Sequence, residues 1–169
     1  KMTDQVRVGI IGCGGFALNM HIPNLLRSPK YRVRATMDID ADAAEKAREA
    51  AAAEYATADL EKILTDPQID AVIITTRHNL HAEQTIRAAQ AGKHVLCEKP
   101  MALNTREVAR VAKAVAEAGV VYTVGYNRGL APMITKAREL LAHENHKIMI
   151  YHRIQAPFPA NHWTHDPAV

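Results

Sequence analysis

Five short runs of aliphatic and β-branched residues, VRVGII (6–11), VRATM (33–37), AVIIT (71–75), HVLC (94–97) and VVYTVG (120–125), alternate with longer Ala-rich, charged stretches of helical period. The runs are apolar at successive positions, so both faces of each strand need cover, and helices laid on the two sides of a largely parallel sheet provide it. The alternation therefore predicts a doubly wound α/β domain built from βαβ units.

The intervening helices carry their own start and stop signals. Asp40 or Asp42 opens the segment running through AAEKAREAAAAE, and Asn104 or Thr105 opens TREVARVAKAVAEAG, which closes at Gly119. A shorter helix is expected from Asp59 to Thr65, stopped by Asp66-Pro67. In HNLHAEQTIRAAQAG the apolar face is read as Leu80, Ile86, Ala89 and Ala91, ending at Gly92. After Tyr126 the rhythm changes: a helix from about Pro132 to Ala142, the charged loop HENHK, a strand IMIYHRI (148–154), and a tail with three prolines and the single Trp163. The expected division is a nucleotide-binding domain over 1–126, followed by 127–169 as the truncated start of a second α/β domain.

Bulk properties exclude several classes. Twenty-one basic and 18 acidic residues, a net charge of +3, are interspersed without a basic patch, so neither nucleic acid nor an anionic membrane is an expected partner. No run approaches the ~18 apolar residues of a membrane span, and KMTDQVRV lacks a signal-peptide core. Cys13 and Cys97 lie in apolar runs without a CxxC spacing, which reads as reduced, buried thiols in a cytoplasmic protein.

The chemistry-bearing motifs fall at strand ends. Gly12-x-Gly14-x-x-Ala17 follows the first strand and opens a helix. There Gly12 permits a tight turn, Gly14 lets backbone approach a pyrophosphate, and Ala17 allows close helix packing. Gly15 and Phe16 belong to the same candidate cradle. Asp38 ends the second strand 21 residues after Ala17, where a carboxylate would bond adenosine ribose hydroxyls and repel a 2′-phosphate, favouring NAD over NADP. An alternative role for Asp38 is to cap the next helix. Thr75, Thr76 and His78 close the third unit, and His81 follows; in open α/β sheets such residues flank the nicotinamide half of the groove, although His81 could equally be a solvent-facing helix residue. Glu98-Lys99-Pro100 ends the fourth strand, and Lys99 is placed to exchange a proton with a substrate hydroxyl. His143 and His146 sit in a polar loop with no third ligand in view, and His162 and His165 around Trp163 resemble a ligand-facing tail more than a metal clamp; no metal site is expected.

With these residues in hand the chain resembles the Gfo/Idh/MocA family of nicotinamide-dependent oxidoreductases, from Val6 to about Pro167. The motifs that carry the resemblance are the glycine turn at 12–17, Asp38, the block HAEQTIRAAQAGKHVLCEKPMA, GYNR (125–128) and HWTHDP (162–167). The resemblance implies a Rossmann-like fold and a dehydrogenase acting on a secondary hydroxyl of a sugar, cyclitol or related polyol. It further implies that Lys99 contributes to proton transfer and to holding cofactor and substrate, that Glu98 and Asn127 contact the nicotinamide-ribose side, and that Arg128 and Trp163 face substrate. Two alternatives stay open within the same fold: a non-catalytic regulator sensing NAD or a sugar, and a glycosidase using NAD transiently. The sequence departs from the family's NRRF at Gly129-Leu130. The family places its main acid/base histidine, a substrate-binding aspartate and the sheet used for homo-oligomer association in a second domain, so this chain is expected to bind NAD and to turn over little alone.

Overall fold

In the computed structural model, residues 5–142 are described. The chain groups into two compact units, Lys1–Gly125 and Tyr126–Val169. The strand expected at 148–154, the four histidines at 143, 146, 162 and 165, and Trp163 lie outside the described residues.

The first unit is a six-stranded sheet in the order β3-β2-β1-β4-β5-β6. Its strands are β1 (Val6–Ile11), β2 (Tyr31–Met37), β3 (Tyr55–Thr57), β4 (Ala71–Ile74), β5 (His94–Cys97) and β6 (Tyr122–Val124), and every pair is parallel. This is a Rossmann-like doubly wound sheet, as the apolar runs require. The order reverses beside β1, where the chain leaves β3 and returns as β4. Right-handed crossovers running in opposite directions from that point put the connecting helices on opposite faces.

Alternate residues of one strand accordingly enter different cores. Ile10, Val8, Val33 and Ile73 join Ala17, Ile22, Leu25 and Ala47 under α1 (Ile22–Leu26) and α2 (Ala41–Ala51). Ile11, Ala35, Val72, Ile74 and Val95 join Ile63, Leu64 and Ala88 on the other side, under α3 (Leu60–Leu64) and α4 (His81–Gln90). Ala82 and Ile86 of α4 also pack against Val111 and Ala114 of α5 (Thr105–Ala118).

Capping follows short polar side chains. Asp40, rather than Asp38 or Asp42, caps α2, its Oδ1 accepting from the Asp42 and Ala43 amides at 3.0 and 3.3 Å. Asp59 caps α3 and Asn104 caps α5, while Gly119 ends α5 in the left-handed region at φ 65°. Three details differ from the sequence reading. β2 begins two residues earlier, at Tyr31. A further strand, β3, appears at Tyr55–Thr57, created by pairing with Ala35–Met37. The buried face of α4 is His81, Ala82, Thr85, Ile86, Ala88 and Ala89; Leu80 sits in the preceding 3-10 turn and Ala91 lies past the last helical residue, so both are exposed.

The amino ends of the strands carry an ionic rim. Arg7 grips Asp70 bidentately, Nε and Nη2 donating at 2.9 and 2.6 Å, and the Arg7 amide adds a third bond. Lys93 is buried and its ammonium donates to the carbonyls of Asp66 and Ile69 at 2.6 and 2.9 Å. The described part of the second unit is a 3-10 turn, Asn127–Leu130, and α6 (Pro132–Leu141).

Candidate functional site

Because all six strands point the same way, the loops leaving β1, β2, β4 and β5 share one edge. That edge holds the Gly12–Ala17 turn, Asp38, Thr75-Thr76 and Glu98-Lys99. Gly12 adopts φ +92°, and a Cβ there would meet the Thr76 nitrogen at 2.7 Å and the Thr75 carbonyl carbon at 2.8 Å. The turn is thus pressed onto the exit of β4, and Thr75 Oγ1 donates to the Gly12 carbonyl at 2.5 Å. Gly14 is the converse case: a Cβ there would meet nothing within 4 Å, so the outer side of the turn is open. Ala17 is fully buried, which lets the helical segment pack close to β1.

Asp38 lies against the turn. Its Oδ2 accepts from the Cys13 amide at 2.7 Å and its Oδ1 from the Asp40 amide at 3.1 Å. Each carboxylate oxygen keeps a lone pair for a further donor. Beside it Ile39 is 87% exposed, a large apolar side chain presented to solvent on the same rim. The Cys13 thiol is buried and is pushed up to about 12, chiefly by burial and then by the Asp38 charge.

On the β4 side the structure redirects three expectations. Thr75 Oγ1 bonds the glycine turn, and Thr76 Oγ1 donates to Gln84 Oε1 at 2.6 Å, so both hydroxyl protons are engaged within the protein. His81, expected either in the groove or facing solvent, is fully buried. Its Nδ1 lies 2.7 Å from the Pro100 carbonyl and its Nε2 3.1 Å from the Thr76 carbonyl. A ring packed and bonded in this way cannot touch a ligand; it ties the β4 exit loop to the Glu98–Pro100 loop. Burial and, after that, the charges of His81 and Lys99 lower the His78 imidazole from its ordinary value.

At the β5 exit Lys99 is exposed, and the Lys99-Pro100 peptide is cis. Glu98 is turned inward: Oε1 accepts from His21 Nε2 at 3.0 Å, and Oε2 from the Lys99 amide at 3.3 Å. Asn127 and Arg128 are exposed in the turn that opens the second unit. His21 and Ile39 escaped the sequence reading, and Gly125 entered it only as the last residue of VVYTVG and the first of GYNR. His21 is a lone histidine in a helical segment and Ile39 follows an acid in a turn; neither has a spacing signal of its own.

The residues fit a dinucleotide on local grounds. An open glycine turn precedes a helical segment, an anchored carboxylate with free lone pairs sits one strand away, and an exposed amine lies two strands away on the other side. Among the described residues no group of three His, Cys, Asp or Glu side chains could hold a metal ion, and no helix is long and apolar enough to cross a membrane.

Comparison with known proteins agrees. The model of an oxidoreductase family with an NAD-binding Rossmann fold, GFO/IDH/MocA, matches residues 6–126. The oxidoreductase YrbE of Bacillus subtilis (strain 168) is 34% identical over 91% of this chain and 44% of its own length. Myo-inositol 2-dehydrogenase of Thermotoga maritima is 31% identical over 93% of this chain and 48% of its own. The crystal structure of GenD2 from gentamicin A biosynthesis in complex with NAD superposes with a TM-score of 0.79 at 29% identity, covering 85% of this chain and 40% of that one. The chain thus spans less than half the length of each.

Proposed function

The chain belongs to the GFO/IDH/MocA family of NAD-binding oxidoreductases, and from that premise we propose that it is the cofactor-binding part of a dehydrogenase acting on a secondary hydroxyl of a sugar, cyclitol or related polyol. The observation that carries the reading is the shared edge: the open turn at Gly14, the carboxylate of Asp38 and the amine of Lys99 all stand at carboxyl ends of parallel strands.

In this reading the backbone of Gly12, Gly14, Gly15, Phe16 and Ala17 cradles the pyrophosphate. Asp38 takes the ribose hydroxyls of the adenosine half, and the exposed Ile39 offers its base an apolar face. Thr75, Thr76 and His81 act indirectly, by fixing loops, while Glu98 and Asn127 serve the nicotinamide-ribose side. When bound, the nicotinamide supplies the hydride acceptor. Lys99 exchanges the substrate hydroxyl's proton, an effect worth about 10²–10⁴ in rate, and Arg128 and Trp163 help hold the substrate. Residues 127–169 are read as the start of the substrate domain.

NAD is preferred over NADP because an anionic Asp38 repels a 2′-phosphate. Calorimetric titration tests this: NAD should bind the chain more tightly than NADP, and Asp38→Ala should narrow the gap. Equal affinities in the parent chain refute the assignment of Asp38. In a form as long as the relatives, net NADH formation with a polyol panel separates a dehydrogenase from a regulator or a redox-assisted glycosidase. In that form Lys99→Ala should lower turnover at least about tenfold with NAD binding retained. Full turnover in the variant removes Lys99 from the mechanism.

A further inference from the structure

The Glu98 side chain is only 14% exposed, and its carboxylate is held by neighbouring protein groups. Two features hold it there. His21, 16% exposed, is within hydrogen-bond distance, and since a carboxylate can only accept, the proton lies on Nε2. Gly125 also makes room: a Cβ there would lie 2.8 and 2.9 Å from the two carboxylate oxygens and 3.0 Å from Cδ. The second oxygen then reaches the Lys99 amide. His21 in turn stands edge-on to Phe16 of the glycine turn, ring centroids 5.3 Å apart.

The backbone delivers His21 to this place by an irregularity. Ala17–His21 is a single wide turn in which the Ile22 amide bonds to the Ala17 carbonyl, five residues back. Pro23 follows immediately; it has no amide to give to Asn19, and its ring crowds that carbonyl. Such wide turns inside helices recur at functional sites because they re-aim a side chain.

We infer that His21 is a positioning residue that clamps Glu98 against Gly125 and so sets the backbone at Lys99, joining the glycine turn mechanically to the loop that carries the proton-exchanging amine. This rests on the NAD-binding reading above. Without the imidazole, a mostly buried carboxylate keeps only the long bond to the Lys99 amide and leaves its seat.

The test compares NAD with ADP, which has only the adenosine end, by calorimetry on the whole chain. The parent should bind both; failure to bind NAD refutes the proposed function itself and is seen in the first titration. His21→Ala should weaken NAD about tenfold or more, because Glu98, which serves the nicotinamide-ribose side, leaves its seat, with ADP affinity unchanged. Glu98→Ala should do the same, and the double variant should be no weaker than the worse single one. Gly125→Ala should reproduce the loss with His21 intact, by displacing the carboxylate. His21→Gln, whose side-chain amide places an N–H near the position of Nε2, should restore most of the affinity. Equal losses for ADP and NAD would mean that His21 only supports the turn. That result, additive losses in the double variant, or a Gln variant as weak as Ala overturns the inference.

Discussion

Two glycines of one turn are required for opposite reasons, and substitution separates them. Gly12→Ala forces a side chain into a φ of +92° and into backbone atoms at 2.7 and 2.8 Å. The left-handed conformation costs about 1–2 kcal/mol for a residue with a Cβ. Overlap with a peptide that cannot rotate away adds about 1–3 kcal/mol. The sum, about 2–5 kcal/mol, is a large share of the roughly 5–15 kcal/mol that holds a domain together. At about 2–4 °C per kcal/mol for a domain of this size, the melting temperature should fall by about 4–20 °C. Gly14→Ala meets nothing and should stay within about 0.5 kcal/mol of the parent. Gly14→Val should fold as well and abolish NAD binding, because its side chain fills the open side where the phosphates would pass. Thermal unfolding by circular dichroism and calorimetric NAD titration read the two effects independently. A Gly12→Ala protein that melts with the parent, or a Gly14→Val protein with unchanged NAD affinity, would refute the account of the turn.

Cys13 and Cys97 should resist alkylation at pH 8 in the folded chain, since burial first, then the Asp38 and Glu98 charges respectively, push their thiols up to about 12 and about 11; both should react in urea, and rapid labelling of the native protein would contradict the packing. The Arg7 hydrogen bonds hold the Asp70 carboxyl below its ordinary value of 3.8. A depressed carboxylate stabilises the fold above its unfolded value and loses that contribution as pH falls through the folded one. Stability should therefore drop below about pH 4, less steeply in Asp70→Asn, and identical acid profiles would sink the assignment. Lys93→Met keeps the aliphatic stem but removes both donors to buried carbonyls, and should cost about 1–3 kcal/mol by urea titration; an unchanged midpoint would show the bonds to be dispensable.

The strands that form the sheet's centre were legible because fully covered parallel strands leave a local mark, an unbroken apolar run. β3 left none: Tyr-Ala-Thr is a strand only because the edge of β2 is available to pair with it. Helix caps were readable as a choice, Asp40 or Asp42 and Asn104 or Thr105, and side-chain geometry made the selection. At the site, Gly12, Gly14, Asp38 and Lys99 were found because strand order puts strand-end residues together whatever lies between them in sequence. The orientations of Thr75, Thr76, His81 and Glu98 were not legible, because whether a polar side chain turns to a ligand or to a neighbouring protein group depends on partners as far as 77 residues away in sequence. His21 was missed for the same reason: its meaning lies in Glu98, across the sheet.

The two rims of the sheet lie about 15–20 Å apart, the length of a strand of five or six residues. One bears the arginine, aspartate and lysine clasps around Arg7, Asp70 and Lys93; the other bears the open turn and the exposed amine. Sequence drift that loosens or tightens the clasps can therefore reset thermal tolerance while leaving ligand choice alone. A lineage occupying a hotter or more acid habitat could adapt one margin without renegotiating the other.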